Sequence, residues 1–366
     1  MKCDYLIVGS GFAGSVFAER IASQLNKKVI IVEKRDHIGG NAYDELDEHG
    51  ILVHKYGPHI FHTNSKTVFE YLSQFTDWIK YEHKVLAKLN GKLYPIPINR
   101  TTINKLYNKN FTLNEEVQEF YNIVKQKRFP IRNSEDIIVN QVGIDLYEKF
   151  FKFYTKKQWN LDPSELSPSV CGRIPIRTND DDRYFNDEYQ FMPKYGYTKM
   201  FEQILKNENI KLILSTDYKK IINEIKYDKM IYTGPIDYFF DYKHGKLPYR
   251  SIRFEWENIY TEKYQEAAVV NHVDETHIFT RITEYKYLTG QKNSTTTISK
   301  EYSEKDGEPY YPVPTTKNAE LYRKYKNETH KVENVMFCGR LAEYKYYNMD
   351  QVVGNCLRIY TSENFK

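Results

Sequence analysis

Three glycines near the start of the chain are spaced for chemistry on a diphosphate. Residues 7–14 read IVGSGFAG, so Gly9, Gly11 and Gly14 form GxGxxG. The first permits a tight strand-to-helix turn, the second lets backbone approach a pyrophosphate, and the third allows close helix–strand packing. The helix that follows would aim its unpaired amides and positive dipole end at the phosphates. Glu33 ends the next apolar run, VIIVEK, nineteen residues past Gly14. There a carboxylate accepts from a ribose hydroxyl. The motif alone is weak, since a Rossmann unit kept only as scaffold has the same glycines. Its context favours a bound dinucleotide: an apolar strand over 5–8, an amphipathic helix over 12–24, and Glu33 closing a βαβ unit. An acidic ribose partner suits an unphosphorylated ribose, hence NAD or FAD rather than NADP.

No second signature is as clear. His54, His59 and His62 are close in sequence, but no Cys or carboxylate joins them at ligand spacing, so no metal site is expected. A loop histidine is ordinarily a surface residue. In YGPHIFHTN (56–64), directly after the nucleotide unit, His59 and His62 are nevertheless candidates to touch cofactor or substrate. The chain has no GxSxG elbow, P-loop or HExxH. On spacing alone KFFKFY (149–154) is a helix core stripe, and an isolated Arg173 or Arg281 is a surface salt-bridge residue. Spacing therefore leaves a flavin or nicotinamide protein with an unassigned second substrate.

Holding such a site takes more than one domain, and 366 residues with 40% apolar content suffice for two or three. The 53 Lys and Arg against 49 Asp and Glu leave a formal charge of only +4, which points to neither nucleic acid nor a membrane surface. No apolar run approaches the ~18 residues of a membrane span. A core strand also stands where a signal sequence would sit, so the cytoplasm is the expected compartment. Cys3, Cys171, Cys338 and Cys356 are scattered, and Cys3 and Cys338 fall on apolar strand patterns as buried thiols. Most of the 33 tyrosines are compositional.

Along the chain, a helix is expected over 66–74 and a hairpin turning at Asn90-Gly91. A helical region follows from Ile103 to about Phe153, with Asn114, Ser134 and Asn140 as caps. The loop NLDPSELSPSVCGR (160–173) is a candidate mobile segment. Later come a helix over 201–205, short strands over 211–214 and 230–233, and alternating β stretches from Tyr249 to Ser303. A final strand, ENVMFCGR, precedes a helix over 350–360. Strands at both ends around a central insertion imply a discontinuous nucleotide domain, with Gly339 and Arg340 near the cofactor at the carboxyl ends of its strands.

Nine blocks then occur in the order seen in bacterial UDP-galactopyranose mutases: IVGSGFAG, EKRDHIGGNAYD, YGPHIFHTN, YTKKQW, RYFNDEYQFMPKYGYTKM, IYTGPID, FTRITEYK, EPYYPVP and GRLAEYKYYNMDQ. The chain resembles that family over essentially its whole length. The resemblance implies an α/β fold: a discontinuous Rossmann-like FAD-binding domain (1–78, 195–240, 330–366), an inserted helical domain (101–160) and an antiparallel β-sheet domain (79–100, 161–194, 241–329). It implies interconversion of UDP-galactopyranose and UDP-galactofuranose without net redox change, supplying furanose for cell-surface polysaccharide. FAD would act in its reduced form, through a covalent adduct with the anomeric carbon. The protein's task would be positioning and charge stabilisation.

The same resemblance gives roles to residues. Arg173 and Arg281 would offset charge on the departing diphosphate, with Tyr184, Tyr311 and Tyr346 donating to it. Phe150, Phe151, Tyr154 and Trp159 would hold uridine, and Asn271 its base edge. His59, His62 and Arg250 would lie by flavin and sugar. Toward FAD would stand Gly9, Gly11, Phe12, Gly14, Glu33, Lys34, Gly40, Asn41, His59, Ile60, Gly339, Arg340 and Met349, with Tyr218 beside adenine. Asn348 departs from the acidic residue many members carry. UDP-N-acetylgalactosamine is a second possible substrate, and a homodimer is expected. Two other classes compete: a flavin-dependent oxidoreductase of the amine-oxidase type, and a non-catalytic nucleotide binder.

Overall fold

Two short runs of β-branched and aliphatic residues nucleate the architecture. Strands Tyr5–Val8 and Val29–Val32 are buried at every position, as befits strands covered on both faces of a parallel sheet. In the computed structural model, which describes residues 1–362, they form the centre of a five-stranded parallel sheet. Ile210–Ile213 pairs outside Val29–Val32, while Lys229–Tyr232 and then Val335–Phe337 extend the other side. The crossover helix Phe12–Leu25 buries Phe12, Val16, Phe17 and Ile21 and stops at Asn26 in the left-handed region. Helix Met349–Thr361 packs against it, so the end of the chain completes the first sheet.

A seven-stranded sheet lies elsewhere in the chain, in the order Tyr311–Pro312, Tyr249–Ile259, Thr296–Glu304, Arg281–Glu284, Val269–His272, Val85–Leu89, Lys92–Ile96. It is antiparallel apart from Val269–His272 beside Val85–Leu89. A parallel pair needs a long crossover, and everything between those two strands supplies it. Asn90 (φ 49°) and Gly91 (φ 77°) make the expected hairpin turn. Residues 285–289, within a stretch expected to be β, instead form the short helix Lys286–Thr289 and its cap. Strand Trp78–Lys80 joins Tyr189–Pro193 and Phe61–Thr63 in a small sheet that crosses the division expected after residue 78. No helix among the described residues is long and apolar enough to cross a membrane.

The helical segment comprises Arg100–Tyr107, Asn114–Val124, Ser134–Tyr147 and Phe153–Trp159. Two of its helices have their N-cap position one residue before the expected Asn114 and Ser134, at Leu113 and Asn133, whereas Asn140 is no cap and Asn99 caps the first helix. Asn99 accepts from the Thr102 amide at 2.9 Å and Asn133 from the Asp136 amide at 2.8 Å. Asn114 and Ser134 are already helical, and Leu113 precedes Asn114 with its amide bonded to Glu116. Ser134 instead donates to Ser167 O, and Asn140 brackets the Arg128 backbone from inside the helix. Gly143, at φ 80° and ψ 174°, breaks Ser134–Tyr147, and only glycine fits there, since a Cβ would fall 2.2 Å from Val124 O. A π-helical turn, Glu148–Lys152, then rotates Phe150 and Phe151 into the core. Such turns are frequent at functional sites. All four cysteines are buried and free, with Cys338 Sγ 3.7 Å from Cys356 Sγ.

Candidate active site

The glycine turn is built by exclusion of side chains. A Cβ on Gly9 (φ 100°) would lie 2.2 Å from Thr233 Oγ1, and one on Gly14 would lie 1.9 Å from Gly9 O. Gly14 thus sits inside the helix and seals it against the strand, rather than lining the space beyond. Gly11 heads Phe12–Leu25 without a side chain to cap it, which leaves first-turn amides for an anion. A Cβ on Gly40 would stand 2.9 Å from Gly11 Cα, so two backbones meet at the floor of this turn.

Beyond them opens a cavity of about 910 Å³. Gly9, Gly11, Phe12, Glu33, Lys34, Gly40, Asn41, His59, Tyr218, Gly339, Arg340 and Met349 all line it. Ile60 belongs to the buried core instead. The Glu33 carboxylate is held by Ser10, whose amide and hydroxyl each donate at 2.9 Å, and by the Arg35 amide at 3.0 Å. These bonds fix it in the cavity wall, where a ribose would bind. The volume and the side-chain-free floor fit an extended dinucleotide such as FAD, which needs close backbone approach at its diphosphate. Glu308 reaches from residues 305–309, also lining the cavity, to within 3.1 Å of Lys34 Nζ and of Arg35 Nε.

A second cluster gathers residues remote in sequence. Tyr311 and Tyr346 stack at 5.2 Å, Trp159 meets Tyr346 at 6.4 Å, and the Arg173 guanidinium lies 4.5 Å over the Tyr346 ring. Arg173 is solvent-exposed, with its guanidinium over the Tyr346 ring. Burial alone would raise the Tyr346 phenol, but Arg173 and Arg340 outweigh it and draw it below its usual value. Burial raises the Tyr184 and Tyr154 phenols, against the pull of nearby Arg173 and Arg281. Arg281 pairs across strands with Glu301, Nε 2.8 Å from Oε1, although its N–H misses the hydrogen-bond direction. Asn271 lies opposite Arg281 in register.

Two buried polar atoms here have no protein partner: Asn271 Oδ1, an acceptor, and Trp159 Nε1, a donor. Each such atom costs ~1–3 kcal/mol when left unsatisfied, which favours a ligand that completes it. Phe150 meets the edge of Tyr94 within the core, while Tyr154 is half-buried. Arg250 is buried in register with Tyr311 and donates twice to Ser303 Oγ, at 3.1 and 2.8 Å.

Arg340 joins the two regions. It lines the cavity, and its guanidinium carbon lies 5.5 Å from the Tyr311 ring and 5.4 Å from that of Tyr346. His59 lines the same cavity with Nδ1 2.8 Å from Gly57 O, and burial lowers it to about 3. It is therefore neutral near pH 7, Nδ1–H donating and Nε2 bearing a lone pair. His62 turns to Asp187, Nδ1 to Oδ2 at 2.7 Å, and stacks on Phe185, which abuts Tyr184. Arg35, Glu308, Thr233 and Asp187 escaped sequence reasoning. Thr233, inside IYTGPID, was accessible as the partner that forces Gly9 to lack a side chain.

Comparison with known proteins decides the lineage. A family model described as UDP-galactopyranose mutase matches residues 149–346, and an NAD(P)-binding Rossmann-like domain matches 7–75. A probable UDP-galactopyranose mutase from Klebsiella pneumoniae is 39% identical, over 98% of this chain and 94% of its own. The chain belongs to the UDP-galactopyranose mutase family. It is accordingly an enzyme, of isomerase type. A dTDP-fucopyranose mutase from Escherichia coli is 36% identical over 98% of each chain. A crystal structure of reduced UDP-galactopyranose mutase shares the fold, with TM-score 0.78 at 18% identity, over 100% of this chain and 96% of that one.

Proposed function

We propose that the chain interconverts UDP-galactopyranose and UDP-galactofuranose with no net redox change. The observation that carries this reading is the junction at Arg340, where a dinucleotide cavity meets a cleft bearing Arg173, Arg281 and three tyrosines. Gly9, Gly11, Gly40, Glu33, Tyr218 and Met349 would hold FAD, with Arg340 at its cleft end. The reduced flavin, when bound, supplies a nucleophilic ring nitrogen.

The chain's own groups then have three tasks. Arg173 and Arg281 offset charge on the departing diphosphate, and Tyr184, Tyr311 and Tyr346 donate to its oxygens. Trp159, Tyr154 and Phe151 provide aromatic faces for the base, while Asn271 Oδ1 accepts from its edge. His59, neutral and fixed at Nδ1, offers Nε2 as an acceptor for a sugar hydroxyl proton. We further assign the site to a homodimer working in the cytoplasm.

The similarity to a dTDP-fucopyranose mutase supports a second reading, in which a deoxythymidine nucleotide of a 6-deoxy sugar is the substrate. Reduced protein should be given UDP-galactose, its N-acetyl analogue and dTDP-fucose in parallel, and each product examined for a five-membered ring. Turnover of the first supports the proposal, and exclusive turnover of another assigns the substrate to that sugar. Product formed only with stoichiometric consumption of an electron acceptor would return the chain to the amine-oxidase reading.

A further inference from the structure

One half-buried cation has no place in the chemistry above. Lys157, in helix Phe153–Trp159, points its ammonium into a ring of four backbone carbonyls. His272 O lies at 2.6 Å, Asp274 O at 2.8 Å, His277 O at 3.1 Å and Phe279 O at 3.3 Å. An ammonium has only three N–H donors, so the four acceptors share them. No shorter or neutral side chain reproduces that convergence.

The position of this ring in the fold gives it consequence. The carbonyls belong to the connection between strand Val269–His272, which carries Asn271, and strand Arg281–Glu284, which begins at Arg281. The ammonium belongs to the helix that carries Tyr154 and Trp159. The His272 amide also bonds Thr280 O at 2.9 Å, and the rings of His272, His277 and Phe279 pack on one another. The connection is thus a compact unit, bonded to Lys88 and Asn90 of the neighbouring hairpin and tied to the helix through the Lys157 ammonium. One residue further on, the Gln158 carbonyl accepts from Ser303 Oγ, the atom that also holds Arg250.

We infer that Lys157 is a positioning residue: its carbonyl ring fixes the hairpin of Asn271 and Arg281 against the helix of Tyr154 and Trp159. The inference rests on the reading of these residues as the nucleotide site. It predicts that Lys157 governs nucleotide affinity rather than flavin binding, since none of the ring's residues lines the dinucleotide cavity. Burial works against the charge and lowers the ammonium to about 8, which still leaves it mostly protonated near pH 7.

The test compares wild type with Lys157→Met, and with Lys156→Met as a neighbour control whose exposed ammonium pairs with Asp162, at 3.3 Å. Flavin content, UDP affinity, KM and kcat are measured on the FAD-loaded full chain. Lys157→Met should weaken UDP binding and raise KM by roughly tenfold, as unsatisfied carbonyls release the hairpin, with flavin content unchanged. Lys157→Gln, which retains two N–H donors, should fall between, and it replaces the Met variant if that one does not fold. UDP affinity and KM within twofold of wild type in either variant would overturn the inference while leaving the proposed function intact. Failure of wild type itself to bind UDP would remove both.

Discussion

The dinucleotide cavity and the aromatic cleft meet at Arg340 but are built on opposite principles. The cavity floor is made of backbone: Gly9, Gly11 and Gly40 lie within 32 residues of one another and act by lacking side chains. The cleft is made of side chains, drawn from the 150s, Arg173, Tyr184, Asn271, Arg281, Tyr311 and Tyr346. The first should therefore reject an added carbon at Gly9 and Gly40, whereas the second should tolerate small changes of shape but not loss of charge. Binding of the cofactor and performance of the reaction should separate cleanly by mutation.

The largest expected effect lies in the cleft. Arg281→Ala should lower turnover by roughly 10³-fold or more, the scale of removing a donor aimed at developing charge, while flavin absorbance per chain stays at the wild-type level. Because Arg281→Ala also strands the buried Glu301, Arg281→Lys should be measured beside it. Lysine keeps the ion pair but loses the planar fork, so it should remain severely impaired. Flavin loss in either variant would erase the proposed division.

The converse belongs to the cavity. Gly9→Ala places a Cβ 2.2 Å from Thr233 Oγ1 at φ 100° and should cost about 2 kcal/mol or more, read as lost flavin content and a lower thermal midpoint. Any activity that survives should be restored by excess FAD. A smaller effect is expected from Asn271→Ala, which deletes one acceptor: UDP affinity should fall roughly tenfold with flavin retained. The smallest is Glu308→Gln. It loosens the contacts to Lys34 and Arg35 at the cavity, and partly exposed pairs of this kind are weak. FAD release, followed by flavin fluorescence, should quicken by only about threefold.

The same contrast explains what was legible in the sequence. The βαβ unit announced itself because each requirement is local: an apolar strand, glycines at fixed offsets, a helix, then Glu33. The return of the last strand and helix followed from alternation alone. The cleft was invisible to spacing, since strand pairing brings Asn271 opposite Arg281 and the fold brings Trp159 to Tyr346 across almost 190 residues. KFFKFY read as an ordinary core stripe, and Phe150 does pack in the core, against Tyr94. What the 3.6-residue period could not convey is the break at Gly143 and the π turn that follows it. The expected cap at Ser134 slipped to Asn133 because both residues look equally able to cap. Lys157 stood inside YTKKQW as one charge among many, and only the folded chain shows four carbonyls converging on it.

The central claim is that a reduced flavin in the cavity and the charged cleft beside it together rearrange a sugar ring. The most direct measurement is to reduce the purified protein with dithionite, add UDP-galactose, and identify the nucleotide sugar by the size of its ring. The account predicts UDP-galactofuranose at equilibrium with UDP-galactopyranose, no consumption of electron acceptor, and an initial rate from the Arg281→Ala protein lower by roughly 10³-fold or more. A fully reduced, flavin-loaded protein that yields no furanose from UDP-galactose, its N-acetyl analogue or dTDP-fucose would contradict it.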